Sequence, residues 1–170
     1  MHKEIVIILD DIRSCYNVGS IFRTADAAGA HEIALCGITP YPRVPGDTRS
    51  ERVIENNTKM IHKTALDAEN SVKFQHFHTV LDAIKYYADK KYQIVALENK
   101  VEGTANIFTF KPEKNIALVV GSETEGIDPQ VINMCDATIE IPMHGIKNSL
   151  NVSVATGIAL YVLSQAKDLG

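Results

Sequence analysis

Residues 4–29 read E-I-V-I-I-L-D-D-I-R-S-C-Y-N-V-G-S-I-F-R-T-A-D-A-A-G, and this stretch decides the fold. Glu4 to Leu9 is a short, continuous, largely β-branched apolar run, the pattern of a strand covered on both faces. Polar Asp10 to Asn17 follows, and then Val18, Ile21, Phe22, Ala25 and Ala28 recur at helical spacing until Gly29. Asn17 is placed to cap that helix and Gly29 to stop it. A doubly covered strand feeding into a helix predicts a parallel sheet.

Outward from there the alternation continues. Glu32 to Cys36 reads as a strand, and Gly37 to Asp47, with Pro40, Pro42, Pro45 and Gly46, as loop. Ser50 to His62 is expected to be helix, Val72 to Phe77 strand, Val80 to Lys90 helix, Gln93 to Leu97 strand, and Ile116 to Val120 (I-A-L-V-V) a fully buried strand. From Ala137 to Val162 a β-rich run breaks at Pro142, passes through a polar loop with Gly145, Asn148, Ser149 and Asn151, and ends in an apolar helix. That helix carries one stripe of Val152, Ala155, Ile158, Ala159 and Val162, and a second of Ser153, Thr156, Gly157, Leu160 and Ser164. Neither stripe reads as solvated, so the helix is expected to pack on its own sheet and on another subunit. No internal repeat, low-complexity tract or linker divides the chain. The expectation is a single α/β domain over residues 1–170 with a doubly wound, mainly parallel sheet and no appended RNA-binding domain.

The 170 residues, 45% hydrophobic and 22% charged, suffice for one domain with a real core. With 17 basic against 21 acidic residues the net charge is -4, so any nucleic-acid binding must be local rather than a property of bulk charge. Cys15, Cys36 and Cys135 are far apart and form no C-x-x-C pair, which argues against a disulfide framework or a thiolate zinc site. Cys15 reads as a small inert residue. The N-terminal run is too brief for a signal peptide, and no segment is long enough to span a membrane, so a cytoplasmic protein without membrane attachment is expected. His76 and His78 alternate along one strand, but with no third ligand in view no metal site is assigned.

In parallel sheets ligands sit beyond the carboxyl ends of the strands. Three loops there carry unusual chemistry: Asp10 to Arg23, Gly121 to Gly126 (G-S-E-T-E-G), and Pro142 to Asn151. Gly121 follows a buried strand directly, as in a nucleotide site, but the spacing is not G-x-G-x-x-G and no Lys-Ser or Lys-Thr follows Gly126. Glu123 and Glu125 also make a poor cradle for polyphosphate, though a tolerable neighbour for a cationic ligand.

Three blocks, N-V-G-S-I-F-R-T-A-D-A-A-G (Asn17 to Gly29), G-S-E-T-E-G (Gly121 to Gly126) and I-P-M-H-G-I-K-N-S-L-N-V-S-V-A (Ile141 to Ala155), occur in an order that resembles the SpoU, or TrmH-like, branch of the SPOUT RNA methyltransferases. The similarity covers essentially the whole chain. It implies methylation of a ribose 2′-hydroxyl in tRNA or rRNA with S-adenosylmethionine as donor. It also implies a C-terminal deep trefoil knot, an exception to the rule of unknotted chains, and a homodimer with active sites near the interface. By the same resemblance the cofactor pocket is expected from the loop after Leu97, from Gly121, and from Ile141, Met143, Ser149 and Leu150. The matching catalytic positions are Asn17, Arg23, Glu123, Ser149 and Asn151. Arg23 is expected to grip phosphate or ribose, with Asn17 holding Arg23 or the RNA. A guanidinium is effectively always protonated, so Arg23 is read as orienting and stabilising charge rather than as a base. The proton acceptor stays open among an RNA phosphate, Glu123 and a water relay.

Taken singly, each residue has a plainer reading. Asn17 is a helix cap, Arg23 a surface ion-pair partner, Gly121 and Gly126 turn glycines, Glu123 a solvated acid, and Ser149 and Asn151 caps of the last helix. Their joint occurrence is what points to a site. His144 lies in the site loop, with an RNA contact and a structural role both open. Arg43, Arg49, Arg52, Lys59, His62 and Lys63, with Tyr41 as a stacking candidate, form either an RNA-facing patch or a solvated helix whose charge Asp47, Glu51 and Glu55 cancel. Two alternatives stand beside the methyltransferase: a catalytically silent RNA-binding dimer, and a methyltransferase acting on a base or small molecule.

Overall fold

The computed structural model describes residues 3–99 and 101–165. In chain order they form β1 (Ile5–Asp10), α1 (Cys15–Ala28), β2 (Glu32–Cys36), α2 (Glu51–Ala65), α3 (Ala68–Ser71), β3 (Phe74–Phe77), α4 (Val80–Asp89), β4 (Gln93–Leu97), β5 (Ala105–Asn106), β6 (Ile116–Val120), α5 (Pro129–Ile132), β7 (Ala137–Glu140) and α6 (Val152–Gln165). The strands make one sheet in the order β3-β2-β1-β6-β4-β7-β5, and every pairing is parallel.

Alternation along each strand divides the core in two. Ile5, Ile7 and Leu9 join Leu118, Val95 and Ile139 under α1, α2 and α6, whereas Val6 and Ile8 join Ala117, Val119 and Ile94 under α4 and α5. Both faces are therefore covered, which is why β1 and β6 are apolar without interruption. Registers bring the carboxyl ends of the central strands level: Leu9 and Leu97 both pair with Val120, and Leu97 with Ile139. The loops that follow β1, β4, β6 and β7 thus leave from one edge.

The α1 helix starts earlier than the residue pattern indicated. Its cap is Ser14, whose hydroxyl accepts the backbone N–H of Asn17, so Asn17 sits inside the first turn and does not cap. Gly29 ends the helix in the left-handed conformation, φ 67°. Residues 68–71 form a short helix, so β3 begins at Phe74 rather than Val72. In α6 the buried line is Thr156, Ala159, Leu160 and Leu163, running between the two stripes read from the sequence. The Thr156 hydroxyl returns to Val152 O at 2.7 Å, which lets a polar side chain be buried there.

The helices α1 and α2 cross at Gly19. A Cβ at that position would lie 2.1 Å from Thr64 Oγ1 and 2.3 Å from Ile61 O, and the second of these is backbone. Gly19→Ala is therefore expected to destabilise the protein by about 1–3 kcal/mol, read as a lowered denaturant midpoint at unchanged slope. An unaltered midpoint would mean that the crossing is not close packed.

Candidate active site

Three of the segments at the carboxyl edge are joined by one side chain. Asn17, in the first turn of α1, donates from Nδ2 to Glu123 Oε1 at 2.9 Å and accepts at Oδ1 from Asn151 Nδ2 at 3.2 Å. Glu123 comes from the loop after β6, and Asn151 immediately precedes α6. Asn151 also accepts the Ser153 N–H and the Ser153 hydroxyl at its own Oδ1, the bond an N-cap residue makes. Starting α1 at Ser14 is what frees the Asn17 amide for these contacts.

Glu123 accepts three hydrogen bonds while remaining exposed to solvent. Besides Asn17, it accepts the backbone N–H groups of Arg13 at 3.1 Å and Ser14 at 3.3 Å. Burial pushes its carboxyl pKa up, but the bonds from Asn17, Arg13 and Ser14 outweigh burial and hold it below the ordinary 4.5. A carboxylate so held is a fastener for the start of α1 and a weak proton acceptor.

Beside this junction lies a cavity of about 180 Å³. Its wall includes Leu97, Gly121, Ile141, Met143, Ser149 and Leu150, together with Glu123 and Asn151. Arg23 is exposed on α1 and is not part of that wall. Nor is it hydrogen-bonded to Asn17 among the described residues; that amide bridges Glu123 and Asn151 instead.

Glu98 and Asn99 also stand in the wall; they open the loop after Leu97, which the family resemblance placed in the pocket without naming its residues. Glu98 accepts the Ile127 N–H at Oε2 and the Asn99 N–H at Oε1. Asn99 Nδ2 donates to Ile141 O at 3.4 Å and Asn148 O at 3.3 Å, tying the end of β4 to the loop after β7. Their signal was available: a polar pair closing a buried strand at the edge where ligands bind. Gly121 is constrained by space, because a Cβ there would lie 2.3 Å from the Gly126 carbonyl carbon. Gly126 itself sits at φ 71° against Glu98 Oε2, so the turn tolerates no side chain at either end.

The basic segment is largely committed to itself. Arg49 pairs with the buried Asp47 carboxylate at 2.6 Å, donates to Tyr41 O and Pro42 O, and lies 3.4 Å from the centroid of the Tyr41 ring. His76 stacks on the same ring at 4.4 Å and bonds to Gly37 O. Tyr41 is therefore occupied and is not a free stacking platform, which corrects that reading. Arg43 is paired with Glu51 and His62 with Glu69, leaving Arg52, Lys59 and Lys63 exposed. His144 is exposed, and burial raises the Cys15 thiol pKa, against a reactive thiolate.

Because the folded Glu123 pKa is depressed, its contribution is complete above 4.5 and is lost as pH falls through the lower folded value. In denaturant titrations between pH 6 and about 3, the wild type is expected to lose stability more steeply below 4.5 than Glu123→Gln does. Identical acid slopes would show that Glu123 is not held in this way.

The model of the SpoU rRNA Methylase family matches residues 4–161. The chain is 32% identical over 168 residues to the 23S rRNA (guanosine-2'-O-)-methyltransferase RlmB of Haemophilus ducreyi, covering 98% of this chain and 62% of that one. It is 29% identical over 166 residues to the tRNA (guanosine(18)-2'-O)-methyltransferase of Aquifex aeolicus, covering 98% and 71%. The AdoMet-bound rRNA methyltransferase from Sinorhizobium meliloti matches all of this chain and 59% of its own with a TM-score of 0.78 at 25% identity. The chain thus spans less than two thirds of the RlmB relative. With the family model running from the first strand into the last helix, over a parallel α/β sheet of the same architecture, this chain belongs to the SpoU rRNA Methylase family.

Proposed function

We propose that this chain methylates a ribose 2′-hydroxyl of rRNA or tRNA, using S-adenosylmethionine held in the cavity beside Asn17, Glu123 and Asn151. The observation that carries this reading is the convergence of the loops after β4, β6 and β7 on one cavity, with the β6 loop and the start of α6 tied together through Asn17. The wall suits the cofactor. Leu97, Ile141, Met143 and Leu150 offer apolar surface for an adenine, Ser149 and Asn99 offer hydrogen-bonding groups, and Gly121 leaves the backbone bare. The carboxylates of Glu98 and Glu123 oppose phosphate but not a cationic sulfonium.

S-adenosylmethionine supplies an electrophilic methyl group on sulfur, so the protein's task is mainly to align the attacking hydroxyl and manage its proton. Glu123 fastens the α1 loop to the β6 loop, and Asn17 carries that fastening on to Asn151. With Glu123 already bonded to three donors, the proton passes to an RNA phosphate or to solvent. Arg23, permanently charged and exposed, grips the RNA backbone and stabilises the developing alkoxide. Because Arg23 lies outside the cavity wall, this assignment requires RNA lying across α1, or a second subunit. A homodimer formed through α6 is part of the same proposal. Val154 and Tyr161 are exposed on α6, beside a shallow hollow shared with Ser20 and Thr24 of α1. The C-terminal trefoil threading and a cytoplasmic location with the RNA belong to the same proposal. Among the described residues no helix is long and apolar enough to cross a membrane.

Incubation with methyl-labelled S-adenosylmethionine and unmodified total RNA tests the reading. Label is expected in a 2′-O-methylnucleotide, formed about 100-fold more slowly by Arg23→Ala, with cofactor affinity unchanged. Cofactor binding with label only on a base would overturn the ribose assignment, and failure to bind cofactor would overturn the enzyme reading in favour of a silent RNA-binding protein.

A further inference from the structure

We propose that His62, Asp67 and Glu69 form a binding site for a divalent transition-metal cation of the zinc class, remote from the proposed methyl-transfer cavity. His62 lies in the last turn of α2, Asp67 in the turn that follows, and Glu69 in α3. One donor atom from each lies within 4.8 Å of the others. His62 Nδ1 is 2.6 Å from Glu69 Oε1 and 3.9 Å from Asp67 Oδ1. Donors around a tetrahedral zinc sit roughly 3.3 Å apart at metal–ligand bonds of about 2.0–2.1 Å, so the two His62 spacings change by less than about 1 Å and the Asp67–Glu69 spacing by up to about 1.5 Å. An imidazole nitrogen with two carboxylate oxygens is a donor set that such cations accept.

Glu69 supplies the second, independent observation. Its side chain is 5% exposed, and among the described residues its buried Oε2 has no hydrogen-bond partner. Buried carboxylate oxygens are ordinarily partnered, because an uncompensated charge away from water is costly. A proton on His62 balances the charge and satisfies Oε1, yet it leaves Oε2 bare. A divalent cation beside Oε1 supplies the charge, and it also reaches Oε2 when the Glu69 carboxylate binds it through both oxygens. The other two side chains, 52% exposed at His62 and 79% at Asp67, leave an entry path and room for coordinated water. The turn between them runs through Leu66 at φ 50° and Asp67 at φ 74°, a conformation that brings the Asp67 carboxylate back toward His62. A bound cation would fasten the end of α2 to α3, and through α3 to the core beneath α1.

The test uses the full chain stripped of metal with a chelator and titrated with Zn²⁺ by calorimetry, with Co²⁺ absorption as a probe of coordination. One equivalent is expected to bind, and Asp67→Asn and Glu69→Gln are each expected to weaken it by about tenfold or more. Asp67 is exposed, so Asp67→Asn decides the matter if Glu69→Gln fails to fold. No saturable binding, or binding unchanged by Asp67→Asn, overturns the site. Neither result depends on the methyltransferase reading.

Discussion

Asn17 commits both ends of one short amide to loops from distant parts of the chain. Its nitrogen reaches Glu123, more than a hundred residues on, and its oxygen receives Asn151 at the start of the last helix. An amide is suited to this because it donates and accepts along one rigid group, which neither a carboxylate nor a lysine does. Glu123 then extends the fastening to the backbone of Arg13 and Ser14. The cavity wall is assembled from loops with no covalent reason to be close, and this chain of hydrogen bonds is what holds part of it in register.

The parallel sheet makes the junction possible. Because every strand pairs in parallel, all carboxyl ends lie along one edge, and the registers at Leu9, Leu97, Val120 and Ile139 make that edge level where the cavity forms. Tight backbone contacts then set the loops. Gly121 lies against Gly126, whose positive φ turns the chain back under Glu98, and Asn99 ties the loop after β7 to the end of β4. Rigid elements aim the loops, and side-chain amides and carboxylates lock them together.

The central strands β1, β2, β4 and β6 were legible because each is a short, largely apolar run with little exposure, and β2, β4 and β6 fall where the residues placed them. Elements of two to four residues, such as β5, α3 and α5, carry too little periodicity to be seen. The start of α1 was misplaced because Ser14 and Asn17 are both good caps, and the choice between them depends on Glu123 and Asn151, which are remote in sequence. The second α6 stripe already held Thr156, but the burial of that polar side chain rests on satisfying its hydroxyl within the helix. Tyr41 looked free because nothing in its neighbourhood reveals that His76 and Arg49 fold onto the ring. The candidate wall residues were legible as a group through the three blocks. Their connections through Asn17, Glu98 and Asn99 are tertiary facts that no local pattern encodes.

Asn17 and Asn151 are expected to act as one unit in building the cavity. A double-mutant cycle on S-adenosylmethionine affinity, with Asn17→Ala, Asn151→Ala and the double variant, measures this directly. Strong non-additivity is expected, a coupling of about 0.5–3 kcal/mol, with the second substitution costing little once the first is made. Additive losses would show that the two asparagines act separately and that the junction does not hold the site together.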